Sequence, residues 1–321
     1  MASTSTEFTM PRVGLGTWMA PKGVVGSAVR TAIETGYRLI DCAAVYGNEE
    51  EIGQALHEIL TSGSVQRSDL FIVSKVFNNC HVVDGEEDRP REALMKTLQD
   101  LQLDQLDLLL MHWPIAFLDK ELALPLRGKN AVPNPKYRIV EEFMDTWKSM
   151  MQLQEEGLVR HIGVSNFKPE QIEKILQAGL AKPVVNQVEL HPYLQQPELQ
   201  QYCHDKGIQL MAYSPLGTAA SYSGSSFPPD IGTTLLENPT VDAIAKIHGK
   251  SPAQILIRWS LQKGFVCIPK SANPTRIQEN FAVTDWSLTN EDMEELEKLD
   301  RGFRYGIGWM KGHFDSPNAP W

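Results

Sequence analysis

The stretch LDLLLMHW, residues 106–113, decides how this chain folds. It is apolar almost without interruption and ends in a histidine and a tryptophan. A strand with one wet face would alternate; a near-continuous run fits a strand covered on both faces, as in a parallel sheet. Outward from it the same pattern recurs. VGLGTW from Val13, YRLIDCA from Tyr37 and LFIVSKVF from Leu70 precede it. VRHIGVSN from Val159, VVNQVEL from Val184, IQLMAYSPL from Ile208 and FVCIPKSA from Phe265 follow. Helical patterns lie between these runs. Residues 48–60 put Ile52, Ala55, Leu56 and Ile59 on one stripe, and residues 89–103 put Leu94, Leu98 and Leu101 inward. Segments starting at Pro169, Pro197 and Pro239 open with the residue that suits a first helical turn. Thr289 with Asp292 reads as a capping box for a last helix. Met95 and the pair Met150-Met151 read as helix core.

Eight strands alternating with helices leave a closed (β/α)8 barrel or an open doubly wound sheet. The strand count in a chain of this length favours the α/β class TIM barrel. No run is followed by the GxGxxG of a dinucleotide-binding sheet, and Gly14-Leu15-Gly16 lacks the third glycine. The expectation is one barrel domain over residues 1–321, with a tail, 301–321, lying over the barrel mouth. Two long segments, 114–137 and 217–232, follow strand ends and read as lids or solvated excursions.

Composition narrows the function. The chain has 321 residues, 30 Lys+Arg against 40 Asp+Glu, and a net charge of −10. That balance argues against nucleic acid or an anionic membrane as partner, and no apolar run reaches the roughly 20 residues of a membrane span. Cys42, Cys80, Cys203 and Cys267 are far apart, with neither metal spacing nor a disulfide framework. No secretory leader is visible in MASTSTEF, so a cytoplasmic location is expected. The expected partner is a small molecule, with no metal, and the chain is a monomer or alternatively a homodimer.

A barrel keeps its chemistry at the C-terminal ends of its strands. Here those ends carry Asp41 with Tyr46 beyond it, Ser74-Lys75, His112-Trp113, Ser165-Asn166, Asn186-Gln187 with Glu189 and His191, Tyr213-Ser214, and Lys270-Ser271. Asp41, Tyr46, Lys75 and His112 form a chemical set. A lysine cation beside a tyrosine lowers its pKa from about 10; an aspartate holds the lysine; the tuned phenol donates a proton to a carbonyl oxygen, and a histidine orients that carbonyl. Taken singly, Lys75–Asp41 reads as a structural ion pair, His112 as a core histidine, and Lys270 with Arg276 as a solvated face. Their joint placement at strand ends favours function. His57 reads as surface and His191 as structural.

With these residues in view, the chain resembles the aldo-keto reductases of the aldose and aldehyde reductase type. GYRLIDCAAVYGNEEEIG (36–53), LVRHIGVSNF (158–167) and IPKSANPTRIQEN (268–280) are similar to three family signatures in the family's order. The resemblance implies Asp41, Tyr46, Lys75 and His112 as the catalytic set, with Tyr46 as acid. It implies NADPH lying across the barrel mouth. Ser165, Asn166 and Gln187 would hold its carboxamide, Tyr213 would stack on the nicotinamide, and Ser214 and Leu216 would cover the pyrophosphate. Lys270, Ser271, Asn273 and Arg276 would meet the 2′-phosphate, with Glu279 and Asn280 near the adenine. Trp18, Val45, Phe77, Trp113 and Trp309 are the expected substrate wall, although relatives often carry tryptophan where Phe77 stands. The implied activity is NADPH-dependent reduction of aldehydes, aldoses among them, to alcohols. The alternative is a cofactor-binding structural or regulatory relative with vestigial activity. Reduction of a steroid double bond is disfavoured, because relatives doing that replace the histidine by glutamate.

Overall fold

The computed structural model describes residues 8–83, 85, 88–117, 139–140, 142–217 and 232–305. Ten strands occur among them. They are β1 (Gly14–Gly16), β2 (Leu39–Asp41), β3 (Phe71–Val76), β4 (Leu106–Met111), β5 (Ala116–Phe117), β6 (Ile139–Val140), β7 (Val159–Ser165), β8 (Val185–Glu189), β9 (Gln209–Tyr213) and β10 (Val266–Cys267). Eight form one sheet in the order β1-β2-β3-β4-β7-β8-β9-β10, all parallel, and β5 and β6 form a separate antiparallel pair. The sheet closes on itself. Val13 bridges Cys267 and Gly16 bridges Lys270, both in parallel sense. Gly16 N donates to Pro269 O at 3.1 Å and Cys267 N to Arg12 O at 2.9 Å. The result is the (β/α)8 barrel that the strand pattern predicts.

The uninterrupted apolar runs follow from burial on both faces. In β4, Leu108 and Leu110 join Leu39, Val73, Val185, Met211, Val266 and Ile268 inside the barrel. Leu109 and Met111 face the helical layer and its much larger core, which Leu106 joins at the start of the strand. Phe8 packs edge-on against His161, with ring centroids 4.9 Å apart, and reaches the inner cluster near the start of β3. The glycines of Gly14-Leu15-Gly16 serve the barrel seam. A Cβ at Gly14 would lie 2.5 Å from Leu39 Cγ, and one at Gly16 2.8 Å from Ile268 O.

The outer layer holds α1 (Val25–Thr35), α2 (Glu49–Ser62), α3 (Arg89–Leu101), α4 (Met144–Glu155) and α5 (Pro169–Gln177). It continues with α6 (Pro197–Lys206), α7 (Pro239–His248), α8 (Pro252–Gln262), α9 (Pro274–Phe281) and α10 (Asn290–Glu297). The prolines at the starts of α5, α6 and α7 occupy first-turn positions, and the Thr289–Asp292 capping box is present. Helices α1 and α8 were not among the patterns read. Met95 corrects the core reading: it is 49% exposed, because Leu94, Leu98 and Leu101 set the buried face of α3 and Met95 is turned off it. Met150 is buried as expected. Among the described residues no helix is long and apolar enough to cross a membrane. Trp309, the tail beyond residue 305 and most of the segments 114–137 and 217–232 lie outside the described residues.

Candidate active site

Lys75, on β3, points into the barrel mouth with a fully buried side chain. Its Nζ donates to Asp41 Oδ1 at 2.9 Å, to Asp41 Oδ2 at 2.8 Å and to Cys42 O at 2.7 Å. A fourth, longer contact reaches Tyr46 Oη at 3.4 Å. Asp41 ends β2 and also accepts from Gln187 Nε2 on β8 at 2.7 Å, so its carboxylate ties opposite sides of the mouth together. Tyr46 ends the short 3-10 turn Ala44–Tyr46. Gly47 follows with φ 67°, a left-handed conformation that turns the chain into α2 and suits glycine.

Two residues just after Tyr46 fasten its turn. Asn48 Nδ2 donates to Thr17 O at 3.0 Å, and Thr17 Oγ1 donates to Asp41 O at 2.7 Å. Glu49, 3% exposed, accepts from Ser74 Oγ at 2.6 Å and Thr97 Oγ1 at 2.9 Å. The sequence reading missed Glu49. The signal was its spacing, since Glu49, Ile52, Gly53 and Leu56 share one helical face and all are buried.

His112, just beyond β4, completes the set. Its ring stands edge-on to Tyr46 at 6.1 Å and to Phe77 at 5.4 Å, and its backbone N donates to Val76 O at 3.0 Å. Burial, then the charges of Lys75 and His81, hold its imidazole well below the usual histidine range. A neutral ring can donate one N–H and accept at its other nitrogen. The tyrosine corrects the expected tuning. Burial, followed by Asp41, Cys42 and Glu49, pushes the Tyr46 phenol well above its usual value. Lys75 Nζ lies 3.4 Å from the phenol oxygen, with its charge paired to Asp41. The phenol therefore keeps its proton at neutral pH and is available as a donor.

The next three strand ends carry a linked polar group. Ser165 Oγ donates to Gln187 O at 2.8 Å, Asn166 Nδ2 to Ser165 Oγ at 3.1 Å and to His112 O at 2.9 Å, and Tyr213 Oη to Asn166 Oδ1 at 2.9 Å. Asn166 and Ser214 adopt positive φ, 64° and 49°, a left-handed conformation uncommon for residues other than glycine. Tyr213, Ser214 and Leu216 are half-buried. Amides and a hydroxyl that both donate and accept, beside a tyrosine ring, fit a nicotinamide with its carboxamide.

Beyond the barrel seam, Lys270, Asn273, Arg276 and Glu279 are exposed, Ser271 is half-buried and Asn280 is buried. Asn273 caps α9 by accepting from Arg276 N at 3.2 Å, and Ser271 Oγ accepts from Asn273 N at 3.2 Å. Partial desolvation lowers Lys270 from the usual lysine value, a shift that a bound anion opposes. Two cations at a capped helix N-terminus fit a phosphate. Trp18 and Val45 are half-buried, while Phe77 and Trp113 are buried beside His112. Phe117, whose ring lies 5.9 Å from that of Phe77, is an aromatic neighbour that the reading did not name. His191 is structural as read: it is buried against Glu189 at 2.9 Å and under the Tyr305 ring. A cavity of about 880 Å³ at the other end of the barrel, lined by Val184, Gln209 and Phe265, touches none of the site residues.

Residues 12–301 match the Aldo/keto reductase family. The chain is 46% identical to aldo-keto reductase family 1 member A1 of Mus musculus over 94% of its own length and 89% of the relative's. It is 45% identical to the Homo sapiens protein of that name with the same coverage. The solved aldose reductase from Schistosoma japonicum superposes with a TM-score of 0.80 at 38% identity, covering 95% of this chain and 94% of that one. A closed barrel with this strand-end chemistry and these relatives leads to one conclusion: the chain belongs to the aldo/keto reductase family and is an NAD(P)H-dependent oxidoreductase that reduces carbonyl compounds.

Proposed function

We propose that this enzyme reduces aldehydes, aldoses among them, to alcohols with NADPH, using Tyr46 as the general acid. One observation carries the reading: Lys75 Nζ, bound to Asp41 at 2.8 Å and 2.9 Å, also meets the Tyr46 hydroxyl, in a setting that keeps the phenol protonated. When bound, the dinucleotide supplies hydride to the carbonyl carbon. The protein's own part is to hold the carbonyl oxygen and protonate it. Tyr46 donates its phenolic proton to that oxygen, a step typically worth about 10²–10⁴-fold. Lys75 then faces the phenolate, and Asp41 keeps Lys75 in register. His112, neutral and edge-on to Tyr46, orients the carbonyl by hydrogen bonding. Phe77 and Trp113 supply an apolar wall that excludes water from these groups and favours aromatic and medium-chain aldehydes.

Ser165, Asn166 and Gln187 would hold the carboxamide, Tyr213 would stack on the ring, and Ser214 and Leu216 would cover the pyrophosphate. The 2′-phosphate would be met by Lys270, Ser271, Asn273 and Arg276, with Glu279 and Asn280 toward the adenine. Charge-assisted hydrogen bonds of this kind contribute about 1.5–3 kcal/mol each, enough to prefer NADPH over NADH. The four cysteines are free thiols, which suits the cytosol, and we take the described residues as parts of one barrel domain. The test is NADPH oxidation followed at 340 nm with an aromatic aldehyde, repeated with NADH. Turnover with a clear NADPH preference is expected. NADPH binding without turnover of any aldehyde would favour a vestigial, binding relative instead.

A further inference from the structure

The tyrosine turn is fastened by a carboxylate that the proposed chemistry does not use. Glu49 stands three residues after Tyr46, at the first position of α2. Its two oxygens take hydrogen bonds from two different elements, Ser74 Oγ on β3 at 2.6 Å and Thr97 Oγ1 on α3 at 2.9 Å. Ser74 directly precedes Lys75, so the residue that holds Glu49 and the residue that meets Tyr46 are neighbours on one strand facing opposite sides. Glu49, Ser74 and Thr97 are all buried, at 3%, 0% and 3% exposure.

A carboxylate used merely as a staple is an expensive choice at such a depth, because burial alone pushes Glu49 up from the usual glutamate range. An amide could span the same two hydroxyls without charge, accepting from one and donating to the other. What an amide lacks is the field at the site. Resting on the reading of Tyr46 as the acid, we propose that Glu49 is a positioning residue for that tyrosine. It locks the tyrosine turn to β3 and α3, and it holds a second carboxylate behind the Lys75–Asp41 pair, so that the phenol releases its proton to substrate and not to solvent. Asp41 and Cys42 from the end of β2, Lys75 from β3, His112 beyond β4 and Tyr213 from β9 are the other titratable groups facing the phenol. Glu49 itself lies within the electrostatic reach of Lys75 through β3, of Cys42 at the end of β2, of the Tyr46 phenol and of Asp100 from α3. Asp41 is bound to Lys75 through both oxygens, so Glu49 is the carboxylate of this group that Lys75 does not hold directly.

Two substitutions separate position from charge. Glu49→Gln keeps the size and an acceptor for Ser74 but removes the charge. Glu49→Asp keeps the charge but is too short to bridge both hydroxyls. The readout is the pH profile of kcat for aldehyde reduction at saturating NADPH, whose high-pH limb reports loss of the acid's proton. With Glu49→Gln the limb moves down by about half a unit to one unit, since removing a nearby negative charge stabilises the phenolate. With Glu49→Asp the limb stays within about 0.2 unit while kcat falls several-fold. A Glu49→Gln enzyme with lowered thermal stability but an unmoved limb would overturn the proposal and leave Glu49 a structural staple. Tyr46→Phe runs as the control. If it keeps full turnover, the reading of Tyr46 fails; if it is inactive while Glu49→Gln leaves the limb unmoved, the inference about Glu49 fails alone.

Discussion

Replacing Lys75 by methionine keeps the stem and deletes the cation. Three short hydrogen bonds disappear, two from Asp41 and one from Cys42 O. Asp41, 3% exposed, keeps the Gln187 Nε2 bond at 2.7 Å as its remaining side-chain donor among those seen. Removing one partner of a buried pair typically costs about 3–5 kcal/mol, because the survivor is left as an uncompensated charge. The Gln187 bond and the good fit of a methionine stem place this variant near the lower end, about 3 kcal/mol, or roughly a hundredfold in the folding equilibrium. Adding Asp41→Asn removes the stranded charge, so the double variant should be more stable than the sum of the singles by about 1.5 kcal/mol or more. The assay is urea unfolding of wild type, both singles and the double. In parallel, turnover should fall far more than NADPH affinity, since Lys75 contacts none of the residues proposed to hold the dinucleotide except through Asp41 and Gln187. A Lys75→Met cost below about 1 kcal/mol, additive with Asp41→Asn, would refute the view of this pair as a buried, mutually dependent unit.

Other outcomes follow from the same coordinates. Arg276→Ala should lower kcat/KM for NADPH at least about tenfold while leaving that for NADH nearly unchanged, measured at one salt concentration. His81 is fully buried, and burial pulls its imidazole down to about 3. The unfolded chain therefore takes up a proton there below about pH 6.5 that the folded chain refuses. Its contribution to stability is complete above that pH and is lost as the pH falls toward 3, by about 2 kcal/mol at pH 5. His81→Gln should remove this slope, read from urea unfolding at pH 7 and pH 5. A Cβ at Gly53 would lie 2.0 Å from Asp100 O and 2.7 Å from Leu101 backbone atoms. Gly53→Ala must force α2 and α3 apart and should lower thermal stability by several degrees.

Much of the fold was legible because burial on both faces of the sheet writes itself as unbroken apolar runs, and β4 is the clearest case. The runs overstate the strands at the seam: β1 and β10 are three and two residues long, since closure there proceeds through single bridges at Val13 and Gly16. Helix α1 escaped notice because Val24, its cap, offers no side-chain acceptor. Helix α8 was readable in principle, for Ser251 and Gln254 form a capping box around Pro252. The chemical set was legible from strand-end placement. The direction of the Tyr46 shift was not, because it depends first on burial and then on Asp41, Cys42 and Glu49, which three-dimensional packing alone brings around the phenol.

The most direct test of the account is the turnover of Tyr46→Phe with an aromatic aldehyde at saturating NADPH, alongside NADPH affinity from the quenching of protein fluorescence. The phenol is 3.4 Å from Lys75 Nζ and its loss removes the proton donor but no proposed cofactor contact. The account predicts a fall in kcat of about 10²–10⁴-fold with NADPH affinity unchanged within about twofold. A Tyr46→Phe enzyme whose kcat stays within a few-fold of wild type would contradict it.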